Sequence, residues 1–71
     1  MKYVVVIERG PENYSAYIPD LPGCVATGRT REAVIANIRV ALAMHLEGMR
    51  EDHLPIPEPS TEVDLIEAPA A

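Results

Sequence analysis

The chain has one cysteine, Cys24, so an internal disulfide is excluded and no secreted disulfide framework is indicated. No apolar stretch approaches the ~20 residues of a membrane span. The first apolar run, Tyr3 to Ile7, falls short of the roughly 7–15 residues of a signal-peptide core, and no small-residue cleavage pattern follows it. A cytoplasmic protein is therefore expected. Basic residues are scarce: six Lys and Arg against eleven Asp and Glu leave a formal charge of −5. Such a surface repels a phosphate backbone, so direct nucleic-acid binding is not expected. It suits a basic partner, including a protein that itself holds nucleic acid. Solubility alone is the plainer reading of the same charge.

Catalytic and cofactor signatures are missing as well. There is no GxGxxG, no phosphate loop and no Ser-His-Asp arrangement, so no cofactor is expected. A nucleophilic Cys24 would need a base and a lowered thiol pKa, and the sequence places neither His45 nor His53 beside it. A lone cysteine opening a strand reads as a small buried hydrophobe. If one helix ran through both histidines, eight residues would part them by ~12 Å along its axis, too far to share an ion. No HExxH or CxxC pairing offers another metal site. His45 falls in the apolar arc of a helix, as a histidine at the core edge, and His53 belongs to a solvated connector. The carboxylates outside solvated runs, Glu8, Asp20, Glu32 and Asp64, have no spacing that would assemble a Mg²⁺ cluster. The expectation is a protein that is not an enzyme.

What is present is a single small domain. A 71-residue chain buries only roughly 60–65% of its unfolded surface, which makes self-association a ready source of extra stability. "KYVVVIE" is β-branched, with Tyr3, Val5 and Ile7 on one face and Val4 and Val6 on the other. Two apolar faces predict a central strand, covered by the chain's own helix and by a partner. "RGPEN" is a turn, and "YSAYI" alternates as the second arm of a hairpin. In the stretch "PDLPGCVATG", Pro22-Gly23 predicts a type II turn with positive φ at Gly23, followed by a third short strand ending at Gly28.

The period then changes to that of a helix of about twenty residues, with Thr30 as N-cap and Glu32 in the first turn. Ala33 stands where a capping box would carry Glu or Gln. Val34, Ile35, Ile38, Leu42, His45, Leu46 and Met49 form the core arc. The far arc is poor in charge: Ala36, Val40, Ala43 and Met44 fall there, as an oligomer contact or as residues present for helix propensity alone. The proline-rich "DHLPIPEPST" is a stiff connector, and "EVDLIE" is expected as a short final strand. The fold class is α+β in the order β-β-β-α-β: an antiparallel three-stranded sheet, one long helix and a last strand brought parallel to a neighbour.

The run Pro19-Asp20-Leu21-Pro22-Gly23, then Thr27-Gly28, Thr30, Glu32-Ala33, Asn37, Ala41-Leu42 and Pro57-Glu58-Pro59-Ser60, resembles the HicB-like antitoxin family. The resemblance runs from about Lys2 to Leu65. It implies a single domain over 1–67 with a frayed tail at 68–71, similar to a truncated ribonuclease-H-like fold without catalytic acids. It also implies the antitoxin role of a type II pair. Such a protein masks a HicA-like toxin, a small basic ribonuclease that cleaves mRNA, and self-associates as a dimer or tetramer. The residues expected to meet the partner are Tyr17, Asp20, Leu21, Pro22, Gly23, Thr27 and Glu32. The resemblance also implies that many members continue into a C-terminal DNA-binding domain; the end of this sequence is apolar, Pro-containing and without Lys or Arg, so no direct DNA binding is expected. An orphan oligomeric binding module for a protein or small molecule is the alternative reading.

Overall fold

The structure is a computed structural model that describes residues 1–70; Ala71, the last residue of the expected tail, lies outside them. Three antiparallel strands, β1 (Val6–Arg9), β2 (Tyr14–Tyr17) and β3 (Val25–Gly28), precede one 21-residue helix, α1 (Arg31–Glu51). The sheet order is β1-β2-β3. Val6, Tyr17 and Val25 stand in one cross-strand row, and Ile7, Ala16 and Ala26 in the next. Neighbouring rows point to opposite faces of a pleated sheet. Ala16 is buried and Ile7 and Ala26 pack on the core, so their row faces the helix and the Val6–Tyr17–Val25 row faces away.

The core is small: Ala16, Ile18, Leu21, Cys24, Val34 and Ile38 are buried. Ile35, Leu42, Leu46 and Met49 line its edge, as the helical periodicity predicts. Thr30 has an extended backbone and its Oγ1 accepts from the Ala33 N–H at 3.0 Å, which satisfies one of the free amides of the first turn.

The helix ends in a Schellman arrangement: the His53 N–H donates to the Arg50 carbonyl, and the Leu54 N–H to Met49. His53 therefore sits at φ 55°, a left-handed position normally given to glycine. Substitution His53→Gly is expected to stabilise the domain by about 0.5–1 kcal/mol, read as a higher urea midpoint. A lower midpoint would mean that the imidazole makes a contact worth more than the strain.

Two expectations are corrected. β1 is an edge strand and β2 the central one, because β1 pairs with β2 alone. The expected strand in "EVDLIE" does not form: residues 62–70 have no ladder partner among the described residues and are exposed throughout. A strand requires a hydrogen-bonded neighbour, and the last half-buried residue of the connector is Thr61.

Candidate functional site

The connection from β2 to β3 is two turns in series. The Leu21 N–H donates to the Ile18 carbonyl, and the Cys24 N–H to Leu21. Pro22 and Gly23 occupy the middle of the second turn, and Gly23 has φ 87°, as a type II turn requires. The Ile18 N–H closes the loop on the Cys24 carbonyl at 3.1 Å. This spacing sends Ile18, Leu21 and Cys24 into the core and leaves Pro22 and Gly23 outside. Leu21, expected at the partner surface, is 1% exposed and belongs to the core. Burial pushes the Cys24 thiol up, away from the thiolate that nucleophilic chemistry requires.

Asp20 holds the corner to the far end of the chain. Its Oδ2 accepts from the Ser60 and Thr61 amides at 3.1 and 3.2 Å. Its Oδ1 accepts from the Ser60 and Thr61 hydroxyls at 3.0 and 2.8 Å. Nearby, the Tyr3 hydroxyl donates to the Pro57 carbonyl at 2.6 Å. The prolines of the connector limit its conformations before docking, so these few bonds suffice to seat it. The carboxylate that the sequence offered to a basic partner is thus occupied within the chain.

The Thr61 hydroxyl above all, then the Thr61 amide, hold the Asp20 carboxyl below its ordinary 3.8; desolvation opposes them, and the two Ser60 donors add smaller contributions. A carboxyl lowered in the folded state stabilises above its unfolded pKa, and the effect is lost as pH falls through the folded value. The connector is therefore expected to stay docked at neutral pH and to be released only below about pH 3.8. Substitution Asp20→Ala should abolish the exchange protection of the Ser60 and Thr61 amides at neutral pH, measured against their intrinsic rates. Retained protection would show that the prolines alone seat the connector.

Tyr17 and Thr27 share the outward sheet face. Thr27 lies opposite Ser15, two residues along β3 from Val25. Val25 is 62% and Tyr17 40% exposed, so the face carries an apolar row, Val6–Tyr17–Val25, beside a polar row, Glu8–Ser15–Thr27. Pro22 and Gly23 rim the end of the sheet where β3 begins. Glu32 is exposed at the helix start, beyond the end where β3 finishes, so it does not join them. Val6 is on the face read from the sequence as turned away from the helix, whereas Val25 was missed as a surface residue; strand alternation carries the signal, since Val25 lies one position from residues that pack on the core. Ala36, Val40, Ala43 and Met44 are all exposed on the helix. The ring of His45 lies about 4 Å from the position a Cβ would take on Gly23, beside the second turn. Among the described residues, no three His, Cys, Asp or Glu side chains are gathered as a metal site would need, and no helix is long and apolar enough to cross a membrane.

The family described as HicB_like antitoxin of bacterial toxin-antitoxin system matches residues 3–70. The chain belongs to the HicB-like antitoxin family. Antitoxin HicB 2 of Photorhabdus laumondii is 33% identical over 72 residues, covering 100% of this chain and 52% of its own length. A 14.9 kDa protein of Haemophilus phage HP1 is 33% identical over 97% of this chain and 52% of its own length. The chain thus spans about half of each of these relatives, whereas a Thermoplasma acidophilum relative, 30% identical, is matched over 100% of its length. Among solved structures, a chain of the HicA3 and HicB3 toxin-antitoxin complex superposes with a TM-score of 0.72 at 30% identity, covering 84% of this chain and 70% of that one. The HicB-like fold accounts for the three antiparallel strands and the long helix.

Proposed function

We propose that the chain is the antitoxin of a type II pair and masks a HicA-like, mRNA-cleaving toxin in the cytoplasm. The observation that carries the reading is the likeness, at a TM-score of 0.72, to a chain of the HicA3 and HicB3 complex. The outward sheet face supplies a means. Its Val6–Tyr17–Val25 row offers a patch to desolvate, with the Pro22-Gly23 rim held rigid beside it. The charge of −5 speeds encounter with a basic partner and repels RNA from the covered site. Glu32 contributes to that steering from the helix start. The same charge opposes direct nucleic-acid binding by this domain. Self-association uses the exposed arc of Ala36, Val40, Ala43 and Met44, where Val40 and Met44 are the large apolar members.

The test is co-expression with a small basic HicA-like protein encoded beside this one. Rescue of growth and co-purification are expected; neither rescue nor complex would favour the orphan binding module. Within a complex, Tyr17→Ala should weaken affinity at least about tenfold while the circular dichroism spectrum stays unchanged. Unaltered affinity would remove the sheet face from the interface.

A further inference from the structure

α1 packs over β3 and β2 but not over β1, which leaves a gap on the helix side of the sheet where β1 finishes. Arg9, Tyr14 and Gly28 form the last cross-strand row at that end. Two positions on from the Ile7–Ala16–Ala26 row, it faces the helix side and not the outward apolar face. Arg29 follows Gly28 directly, so a guanidinium stands at each side of this row. Between them lies a cavity of about 210 Å³, lined by Arg9, Glu12, Tyr14, Arg29 and the β1–β2 turn.

In an acidic chain this end is locally basic. Three of the six basic residues, Arg9, Arg29 and Arg31, gather here, while seven of the eleven acidic ones lie beyond Met44. Among the described residues neither Arg9 nor Arg29 has an ion-pair partner. Like charges brought together without a counter-ion repel, and a bound anion reverses that cost. The rim is preformed: the Gly10 N–H donates to the Asn13 carbonyl at 2.8 Å, and Pro11 restricts the turn between them. The volume falls below the roughly 300–1,000 Å³ of sites for drug-sized ligands, so the occupant is one small group.

Glu12 narrows the chemistry. A carboxylate beside two guanidiniums repels a fully ionised anion but accepts a hydrogen bond from one that keeps a proton. Phosphate and phosphomonoesters offer both acceptor oxygens for the forked arginine donors and an O–H for the carboxylate. A monoester holds that proton below a second pKa of about 6. Sulfate and the diester backbone of nucleic acid carry none at that pH. We propose that this cavity binds the protonated phosphate group of inorganic phosphate or a small phosphomonoester, with Arg9 and Arg29 on its oxygens and Glu12 on its O–H. The cavity lies at the opposite end of the sheet from the Pro22-Gly23 rim and on the opposite face from Tyr17. Its occupation therefore leaves the proposed toxin surface free.

The experiment is an amide-shift NMR titration of the full chain at about pH 6 and constant ionic strength. Inorganic phosphate, ribose 5-phosphate, sulfate and dimethyl phosphate are added separately. Saturable shifts confined to residues 9–14 and 29 are expected for the first two, with sulfate and the diester at least about tenfold weaker. Whichever of the first two binds more tightly identifies the free ion or a phosphorylated metabolite as the source, and either result supports the site. Arg9→Gln and Arg29→Gln should each weaken phosphate at least about tenfold with an unchanged circular dichroism spectrum. Arg39→Gln, on the helix, should change nothing, and Glu12→Gln should remove the preference over sulfate. No saturable shift with phosphate would overturn the proposal. So would equal binding of sulfate by the wild type, or shifts that both arginine variants leave intact.

Discussion

Replacing Gly28 with alanine is expected to destabilise the domain by about 3 kcal/mol, a large part of the roughly 4–10 kcal/mol available to a chain of this size. A Cβ at this position would lie 2.5 Å from the Val34 amide nitrogen and 2.9 Å from both the Ala33 carbonyl carbon and the Val34 Cα. All three are backbone atoms of the first helical turn, so no rotamer change relieves the clash. β3 and the helix must separate where Thr30 caps Ala33 and where Val34 is wholly buried. The control is the same substitution elsewhere. Gly48 has nothing within 4 Å of its added Cβ, so Gly48→Ala in the helix should stabilise by about 0.5–1 kcal/mol. Urea unfolding of the two variants should therefore move in opposite directions. A Gly28→Ala midpoint equal to that of the wild type would refute the close approach of β3 to the helix.

Gly28 also marks where sequence reasoning ran out. As part of Thr27-Gly28 it was legible as a strand end, but the need for a missing side chain is set by a helix turn that arrives in three dimensions. The features read correctly were local. The Pro22-Gly23 turn, the Thr30 cap, the hairpin that forms from Val6 to Tyr17 and the core arc of the helix each depend on residues a few positions apart. The misread ones depend on distant partners. Asp20 looked free because its four donors lie some 40 residues away. The strand propensity of "EVDLIE" was read as a strand, yet pairing needs an edge, and none within the chain is brought to it. The same fault placed β1 at the centre of the sheet: side chains that are apolar on both faces do not say how many edges are paired, and β1 pairs with β2 alone. The family, by contrast, was legible from the corner and helix residues together, since its motif is a spacing of prolines, glycines and caps that local geometry demands.

Leu21 lies inside that motif, and its substitution separates a residue that shapes the surface from one that touches the partner. Leu21→Ala is expected to cost about 3 kcal/mol, within the range for a buried leucine whose cavity is only partly filled by relaxation. For a domain this small that lowers Tm by more than about 10 °C. The side chain is 1% exposed, and its backbone both donates to Ile18 and accepts from Cys24. The loss therefore falls on the packing under the corner while both turns keep their hydrogen bonds. Below the lowered Tm, the affinity of the folded fraction for a HicA-like toxin should change less than about threefold, because the Pro22-Gly23 rim and Tyr17 still present the same surface. The opposite result, an unchanged Tm with affinity reduced at least about tenfold, would return Leu21 to the interface and require the corner to open when the toxin binds. The two observables are independent, so thermal denaturation and titration of one purified variant decide whether the corner recognises its partner as a rigid wedge or as an opening hinge.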